Sequence, residues 1–360
     1  AVGTEVTAIA VYMKHWFPEV ASWVWIVLFS SALVVTNALS VKAFGHFEYG
    51  FSAIKISAIV AFILLGAWLV FGSADPAYGF HHYQEHGGFM PNGFSGVWIA
   101  VIISIFSYLS IEMIAVAAGE AEQPEVAVKR AFRVTMVRLL VFYILTLALI
   151  LAMVPWNQSG QGAQSPFVTV MQQVGIPGAT GLINFVILVA ALSAMNSQLY
   201  TTTRMMFSLA RAGHAPRIMG RLASNGIPVY ALALSCTGIA LATLVNLIFP
   251  EESFVLMMAI SIFGALFAWM MIFLTHYRFR RYHERNGGLN LSFRMWGFPW
   301  ATLLGFALMA AILVTTAFVP DFHMTLVFGV PFLLLLCGAF RLLTRRRALL
   351  VQPEHVQIHS

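Results

Sequence analysis

Long apolar stretches, separated by short polar segments, make up most of the chain. A helix that crosses a bilayer needs about 20 mostly apolar residues. Nine stretches meet this requirement: 21–40, 51–72, 97–118, 136–155, 178–200, 228–249, 253–275, 301–319 and 324–343. They lack the alternation of apolar and polar residues that marks the strands of membrane barrels. Since only helices and closed barrels satisfy their backbone groups in lipid, the pattern predicts an all-α, polytopic transmembrane helix bundle.

The first segment, 1–16, is also apolar, contains Glu5, and ends at the Phe17-Pro18 pair. It lacks the basic region and the small-residue cleavage site of a signal peptide. We interpret it as the second part of another span. We therefore expect the sequence to be a fragment that begins inside a helix.

Composition agrees with a membrane environment, because 60% of the residues are hydrophobic and only 9% are charged. A soluble domain carries roughly 25% charged residues to cover its surface. The two cysteines, Cys236 and Cys337, lie inside apolar stretches and are interpreted as small buried hydrophobic residues. The lipid bilayer is thus the expected surrounding of the chain.

The net charge of +6 would suit a nucleic-acid partner, but the basic residues are grouped at the ends of the apolar stretches. Cytoplasmic loops of membrane proteins are enriched in Lys and Arg. With 119–135 placed in the cytoplasm, alternation of the spans puts all of the 20 Lys and Arg residues except Lys14 on or beside that side. The pattern predicts a multi-pass protein of the cytoplasmic (inner) membrane, with a cytoplasmic C-terminal tail at 351–360 and no nucleic-acid partner.

Three ionisable residues fall within apolar stretches and are functional candidates for that reason: Glu5, Lys55 and Glu112. Lys55 lies one turn inside its predicted span, so its side chain either reaches back to the interface or exchanges a proton in the protein interior. Glu112 lies deeper. It is either a structural carboxylate bonded to a neighbouring helix or a buried polar group involved in gating.

Asn196 and Ser261 are polar residues at membrane depth. Each is either a structural residue, since interhelical hydrogen bonds explain most such residues in a bundle, or a buried polar group involved in gating. The segment Phe106-Ser-Tyr-Leu-Ser110 differs, since it places two small hydroxyl residues between bulky ones at mid-membrane. Serine side chains can hydrogen-bond their own backbone and loosen a helix. These residues alone leave a regular helix and a helix interrupted near Ser107–Ser110 both open.

The segment His82-Tyr-Gln-Glu85-His86 has the ligand order of a class of zinc hydrolases. That chemistry needs both histidines on one helical face and a third ligand nearby. Here the motif lies in a loop between Pro76 and Pro91. We expect a solvated polar loop, and we predict no catalytic residue, no metal and no cofactor.

Several segments together resemble the amino-acid permeases of the amino acid–polyamine–organocation superfamily, nearest to the bacterial branch for aromatic residues, proline, lysine and γ-aminobutyrate. The most specific segment runs from Phe106 through Glu112 and Ala118-Gly-Glu-Ala121 to Pro124, and basic residues follow it. Further segments resemble the fifth span, the eighth span and the loops of these permeases: 48–66, 154–156, 165–167, 190–197 and 204–216.

The resemblance implies the leucine-transporter fold, in which two inverted repeats of five spans each contribute one broken helix. Residues 1–350 would then form a single permease domain that holds part of span three and spans four to twelve. The first two spans would be missing, including the broken first span that binds the substrate carboxylate. We therefore expect the chain as given not to transport.

Residue by residue, Phe106, Ser107, Tyr108 and Leu109 resemble the broken sixth span, whose free carbonyls accept the substrate ammonium group, with Ser110 beside them. Lys55 resembles a fifth-span lysine that couples protons to transport.

The resemblance therefore implies secondary active transport of an amino acid with protons by alternating access, rather than enzyme activity. An amino-acid or polyamine exchanger and a non-transporting membrane subunit are the alternatives. The sequence predicts neither the amino acid nor the oligomeric state.

Overall fold

A computed structural model describes residues 1–39, 41–112, 114, 123–159, 165–287 and 294–350. These residues form helices, turns and loops, with no β-strand among them. The α-helices are α1 Val2–Met13, α2 Ser22–Leu39, α3 Val41–Gly72, α4 Gly93–Ser107, α5 Pro124–Met153, α6 Trp156–Ser159, α7 Pro166–Val174, α8 Ala179–Arg211, α9 Val229–Ile248, α10 Ser253–Arg285, α11 Trp300–Thr315 and α12 Met324–Leu350. The prediction of an all-α helix bundle is confirmed.

Seven of these helices are long and apolar enough to cross a membrane: α3, α5, α8, α9, α10, α11 and α12. They correspond to seven of the nine predicted full spans. The other two predicted spans, 21–40 and 97–118, form the shorter apolar helices α2 and α4 in the described part of the chain. The segment 1–16 contains the short helix α1, as expected for part of a span.

Several helices are longer than the apolar stretches that predicted them. α3 begins at Val41 and α5 at Pro124, whereas α8 continues to Arg211 and α10 to Arg285. Much of the segments interpreted as loops, 119–135, 204–221 and 276–294, is therefore helical. The prediction was wrong here because Lys, Arg and Glu are good helix formers, so a helix need not end where its apolar residues end. Residues 118–121 and the predicted tail 351–360 lie outside the described residues.

Three clusters of buried apolar side chains hold the bundle together. The first joins α1, α2, α8 and α9 around Ile9, Ile26 and Met195. The second joins α3, α5 and α7 around Phe62 and Met153. The third joins α4, α10 and α11 through residues that include Ile105, Ile262 and Ile312. Helix α1 lies centrally, since it packs against α2, α8, α9 and α10.

The outer surface of the bundle is strongly apolar. In the apolar part of α12, Met324–Leu342, only 11% of the residues are buried inside the protein. Large side chains such as Phe332, Leu334 and Leu335 are exposed there. Lipid tails are as apolar as these side chains, so such a surface is compatible with a bilayer.

Close packing of α11 and α12 against α10 depends on small residues. A Cβ atom added at Gly329 of α12 would overlap the ring of Phe263 on α10. At Gly305 of α11, an added Cβ would lie 2.5 Å from the Phe273 ring of α10. Small residues at helix contacts let the backbones approach closely, and packing of this kind drives association in membranes.

Replacing Gly329 by alanine should destabilise the bundle, because the buried Phe263 ring must move. Overpacking of this kind costs about 1–3 kcal/mol. Gly338→Ala on the same helix is the matched control, since no described atom lies within 4 Å of its added Cβ. Thermal unfolding of the purified protein in detergent should show a lower midpoint for Gly329→Ala and an unchanged or higher one for Gly338→Ala. Equal midpoints for the two variants would contradict the packing described.

Candidate functional site

Lys55 stands at the centre of a charged network between α3 and α8. Its Nζ donates a hydrogen bond of 2.7 Å to Ser193 Oγ, and Ser193 Oγ in turn donates one of 2.7 Å to Glu48 Oε1. The Lys55 Nζ and Glu48 Oε1 atoms are 3.6 Å apart. The serine hydroxyl thus links the ammonium and carboxylate groups of α3 and ties both to α8.

The helical repeat explains why these side chains meet. Glu48, Ser52 and Lys55 occupy positions i, i+4 and i+7 of α3, which lie on one face of a helix. Ser52 Oγ lies 3.5 Å from Glu48 Oε1 on that face. Ser193 is fully buried on α8, which packs along α3. This face of α3 therefore presents both charged groups to Ser193 on α8.

Electrostatics favours keeping this network intact. The side chains of Lys55 and Glu48 are 28% and 25% exposed, so both charges are largely removed from solvent within the protein. A charge in apolar surroundings is costly unless it is paired and hydrogen-bonded. The carboxyl group of Glu5 on α1 also interacts electrostatically with Lys55. One acceptor, Glu48 Oε2, is buried and has no hydrogen-bond partner among the described residues.

A cavity of about 300 Å³ lies beside Lys55. Its walls come from α1, α3, α7 and α8, and its lining is mostly apolar, with Tyr12, Phe62, Phe167 and Ile187 among the residues. Small-molecule sites are typically apolar cavities with a few polar groups at fixed positions. The arrangement places one cationic group at the wall of a space large enough for a small ligand.

The predicted interruption of the helix near Ser107–Ser110 is confirmed. Helix α4 ends at Ser107, residues 108–112 form turns, and Ser110 has a φ of +73°. A non-glycine residue with a φ in this range is uncommon and marks a local break from regular structure. Residues 115–118 of the predicted span lie outside the described residues.

The carbonyl groups at this break are free of regular α-helical bonding. Ile105 O and Phe106 O accept hydrogen bonds from the N–H groups of Tyr108 and Leu109. Ser107 O accepts a hydrogen bond of 2.6 Å from the hydroxyl of Tyr143 on α5, whose ring packs edge-on against Tyr108. The last carbonyls of a helix need partners from outside it, and here a tyrosine supplies one.

Three further predicted residues, Glu112, Asn196 and Ser261, make hydrogen bonds between helices or segments. Trp269 Nε1 donates to Glu112 Oε2 at 3.1 Å, and Asn37 Nδ2 donates to Asn196 Oδ1 at 2.8 Å. Ser261 Oγ lies 3.0 Å from Thr4 Oγ1. These contacts are those expected if the residues hold the bundle together.

The two main parts of the predicted site lie in different parts of the bundle. Lys55 meets Ser193 and Glu48 beside the cavity, whereas Leu109 packs in the third cluster with α10. Sequence reasoning missed Glu48 and Tyr143 as functional partners. The i to i+7 spacing from Glu48 to Lys55 was a usable signal, but Tyr143 has no local signal, because only tertiary packing brings it to Ser107.

Ser193→Ala should destabilise the protein, because the Lys55 ammonium and the Glu48 carboxylate each lose a hydrogen bond. Hydrogen bonds to charged groups contribute about 1.5–3 kcal/mol. Ser197→Ala, one turn further along α8, is the matched control, since Ser197 makes no side-chain hydrogen bond to described residues. Chemical unfolding in detergent should show that Ser193→Ala lowers the free energy of unfolding by much more than Ser197→Ala does. A loss no larger than the control's would mean that the serine does not hold the charges.

Comparison with known proteins identifies the family of the helix bundle. The chain matches the amino acid permease family over residues 1–347. The uncharacterized amino acid permease YtnA of Bacillus subtilis is 36% identical over 342 residues, which are 93% of this chain and 73% of that protein. The γ-aminobutyric acid permease of the same organism is 36% identical over 323 residues, 89% of this chain and 68% of the relative.

The aromatic amino acid transport protein AroP of Escherichia coli is 34% identical over 351 residues, which are 97% of this chain and 76% of AroP. The family match thus covers every helix described above except the last residues of α12. This bundle is a multi-pass membrane transporter rather than an enzyme, and the chain belongs to the amino acid permease family.

Proposed function

We propose that this permease carries an amino acid by secondary active transport with alternating access, and that Lys55 couples the transport to protons. The observation that carries this proposal is the position of the Lys55 ammonium, which is bonded to Ser193 and paired with Glu48 beside a cavity. An ionisable group inside a membrane protein is costly, and is retained mainly where it serves an ion or proton pathway.

The network suggests how protonation changes the structure. With Lys55 charged, the ammonium donates to Ser193 and balances the charge of Glu48, so α3 and α8 are held together. Loss of the proton removes the positive charge and leaves the Glu48 carboxylate without its partner. This state favours separation of the two helices or admission of another cation. Proton release and helix movement are thereby linked, as alternating access requires.

The broken end of α4 is the proposed position for the substrate ammonium group. The carbonyls of the turn from Phe106 to Ser110 lack regular α-helical partners, and an ammonium group has three donors for them. The Tyr143 hydroxyl occupies one lone pair of Ser107 O, and a carbonyl oxygen has two. We propose that Phe106, Tyr108 and Leu109 shape the pocket and that Ser110 sets the turn.

Glu5, Glu112, Asn196 and Ser261 are proposed as buried polar groups that reposition between states. Each bridges two elements or lies in the central bundle, so rearrangement of the helices would exchange its partners.

Further proposals concern the whole domain. Residues 1–350 form one permease domain on the leucine-transporter fold, with part of span three and spans four to twelve. The domain lies in the cytoplasmic membrane with its C-terminus in the cytoplasm, as the distribution of Lys and Arg suggests. The named relatives carry different amino acids, so the proposed substrate is an amino acid without further specification. The absence of transport by the 360 residues alone stays a prediction.

Lys55→Ala should abolish the dependence of uptake on a proton gradient. The protein, expressed from its complete reading frame and reconstituted in liposomes, is assayed for accumulation of labelled amino acids with and without an inward proton gradient. Proton-driven uptake should fall by about tenfold or more, because alanine has no group that takes up or releases a proton. Uptake by the wild type should rise as the external pH falls, and the variant should show no such rise.

Lys14→Ala is the matched control, because Lys14 is a largely exposed lysine at the end of α1 that pairs with Glu251. It should keep the pH dependence of the wild type. Uptake by Lys55→Ala with unchanged pH dependence would rule out the coupling role. Uptake that requires amino acid inside the liposomes and ignores the proton gradient would instead favour an exchanger.

A further inference from the structure

The connection between α3 and α4 contains a cluster of histidine and glutamate side chains. His81 and His82 lie in a short 3₁₀ turn, Phe80–Tyr83, and Glu85 follows it. One ligand atom from each of the three side chains lies within 4.8 Å of the other two. The cluster differs from the one suggested by the sequence motif, because His81 belongs to it in place of His86.

Hydrogen bonds hold this turn against the end of α5. Gly79 N donates to Ala152 O at 2.8 Å, and the Tyr83 hydroxyl donates to Ala148 O at 2.9 Å. These bonds lie on both sides of His81 and His82, so the two imidazole rings stand on a fixed piece of backbone. A site built on fixed elements needs little rearrangement to bind an ion.

His82 uses both of its ring nitrogens, and one of them faces Glu85. His82 Nε2 lies 3.0 Å from Ala77 O, and because a carbonyl only accepts, Nε2 carries a proton. In a neutral ring the other nitrogen, Nδ1, then has a lone pair, and it faces Glu85 Oε2 at 2.8 Å. At this distance either Nδ1 also carries a proton, so that a His82 imidazolium pairs with Glu85, or the two atoms bind one metal ion side by side. A metal-binding histidine commonly donates its second N–H to a backbone carbonyl, as His82 does here.

We propose that His81, His82 and Glu85 form a binding site for a divalent transition-metal ion. Two imidazoles and one carboxylate are a ligand set that zinc uses, with water at the remaining position. Imidazole ligands favour zinc, copper and nickel, whereas calcium and magnesium prefer oxygen ligands. The expectation of a loop without a metal site is replaced by this proposal, which is independent of the coupling role of Lys55.

Burial distinguishes the three ligands. The His82 side chain is only 10% exposed and also lines a cavity of about 320 Å³ with Phe89 and Trp156, whereas the Glu85 side chain is 45% exposed. His81 is also exposed. An ion can therefore enter from the side of Glu85 and His81 while His82 stays fixed. Once bound, it would cross-link the 3₁₀ turn to the residues that lead into α4.

Titration calorimetry with zinc chloride on the purified protein in detergent tests the site. We expect one saturable zinc ion per chain, with no competition from a large excess of magnesium or calcium chloride. His82→Ala and Glu85→Gln should each weaken zinc binding at least tenfold. His86→Ala is the matched control, because His86 belongs to the same loop and lies outside the cluster, and it should bind zinc like the wild type.

A second readout uses cobalt chloride, whose visible absorption reports the geometry of its ligands. The absorption should be present in wild type and His86→Ala and lost in Glu85→Gln. If His82→Ala does not elute as a single species in gel filtration, it is not folded correctly and cannot report on zinc binding. His81→Ala and Glu85→Gln then test the site, because both side chains are exposed and their replacement should leave the fold intact. Absence of saturable zinc binding, binding unchanged by His81→Ala and Glu85→Gln, or loss of binding in His86→Ala would overturn the proposal.

Discussion

The pairing of one ammonium group in an apolar bundle is the constraint on which the central part of this structure depends. Lys55 cannot keep its charge among apolar side chains without partners. Its partners come from its own helix, through Glu48, and from α8, through Ser193. Because the serine serves both charges, the rotation of α3 about its axis and its position along α8 are fixed together. Lys55 is the only lysine among the described residues that line the adjacent cavity.

A second constraint acts on the backbone of α4. A helix that stops at membrane depth leaves carbonyl groups that lipid cannot satisfy. Tight turns at Tyr108 and Leu109 and the hydroxyl of Tyr143 meet this need, and the edge-on contact of the two tyrosine rings holds the hydroxyl in place. The irregular backbone at the end of α4 is thus hydrogen-bonded to α5 through Tyr143.

Much of the fold followed from the sequence, because apolar runs of membrane length have few alternative structures. The ends of the helices did not follow, since residues such as Arg211 and Arg285 continue a helix beyond its apolar part. The break at Ser107 could be predicted from its small hydroxyl residues together with the resemblance of this segment to a broken span. The Tyr143 contact could not, because it joins residues that lie 36 positions apart.

In the charged network, too, one partner of Lys55 could be predicted from the sequence and the other could not. Glu48 was predictable from helical spacing alone, whereas the choice of Ser193 among the polar residues of α8 depends on how α3 and α8 pack. In the His81–Glu85 turn the motif pointed to His86, but the chain folds as a 3₁₀ turn that brings His81 to the cluster. Motif spacing assumes an α-helix, and the local backbone decides which ring takes part.

A double-mutant cycle between Lys55 and Ser193 tests the central claim most directly, because these two side chains join α3 to α8. The free energy of unfolding in detergent is measured for wild type, Lys55→Met, Ser193→Ala and the double variant. If the hydrogen bond holds the two helices as described, the two single variants together should lose more unfolding free energy than the double variant does. The sum of the two single losses should exceed the double loss by at least about 1 kcal/mol. Strictly additive losses would show that the ammonium and the hydroxyl do not depend on each other, and would contradict the account.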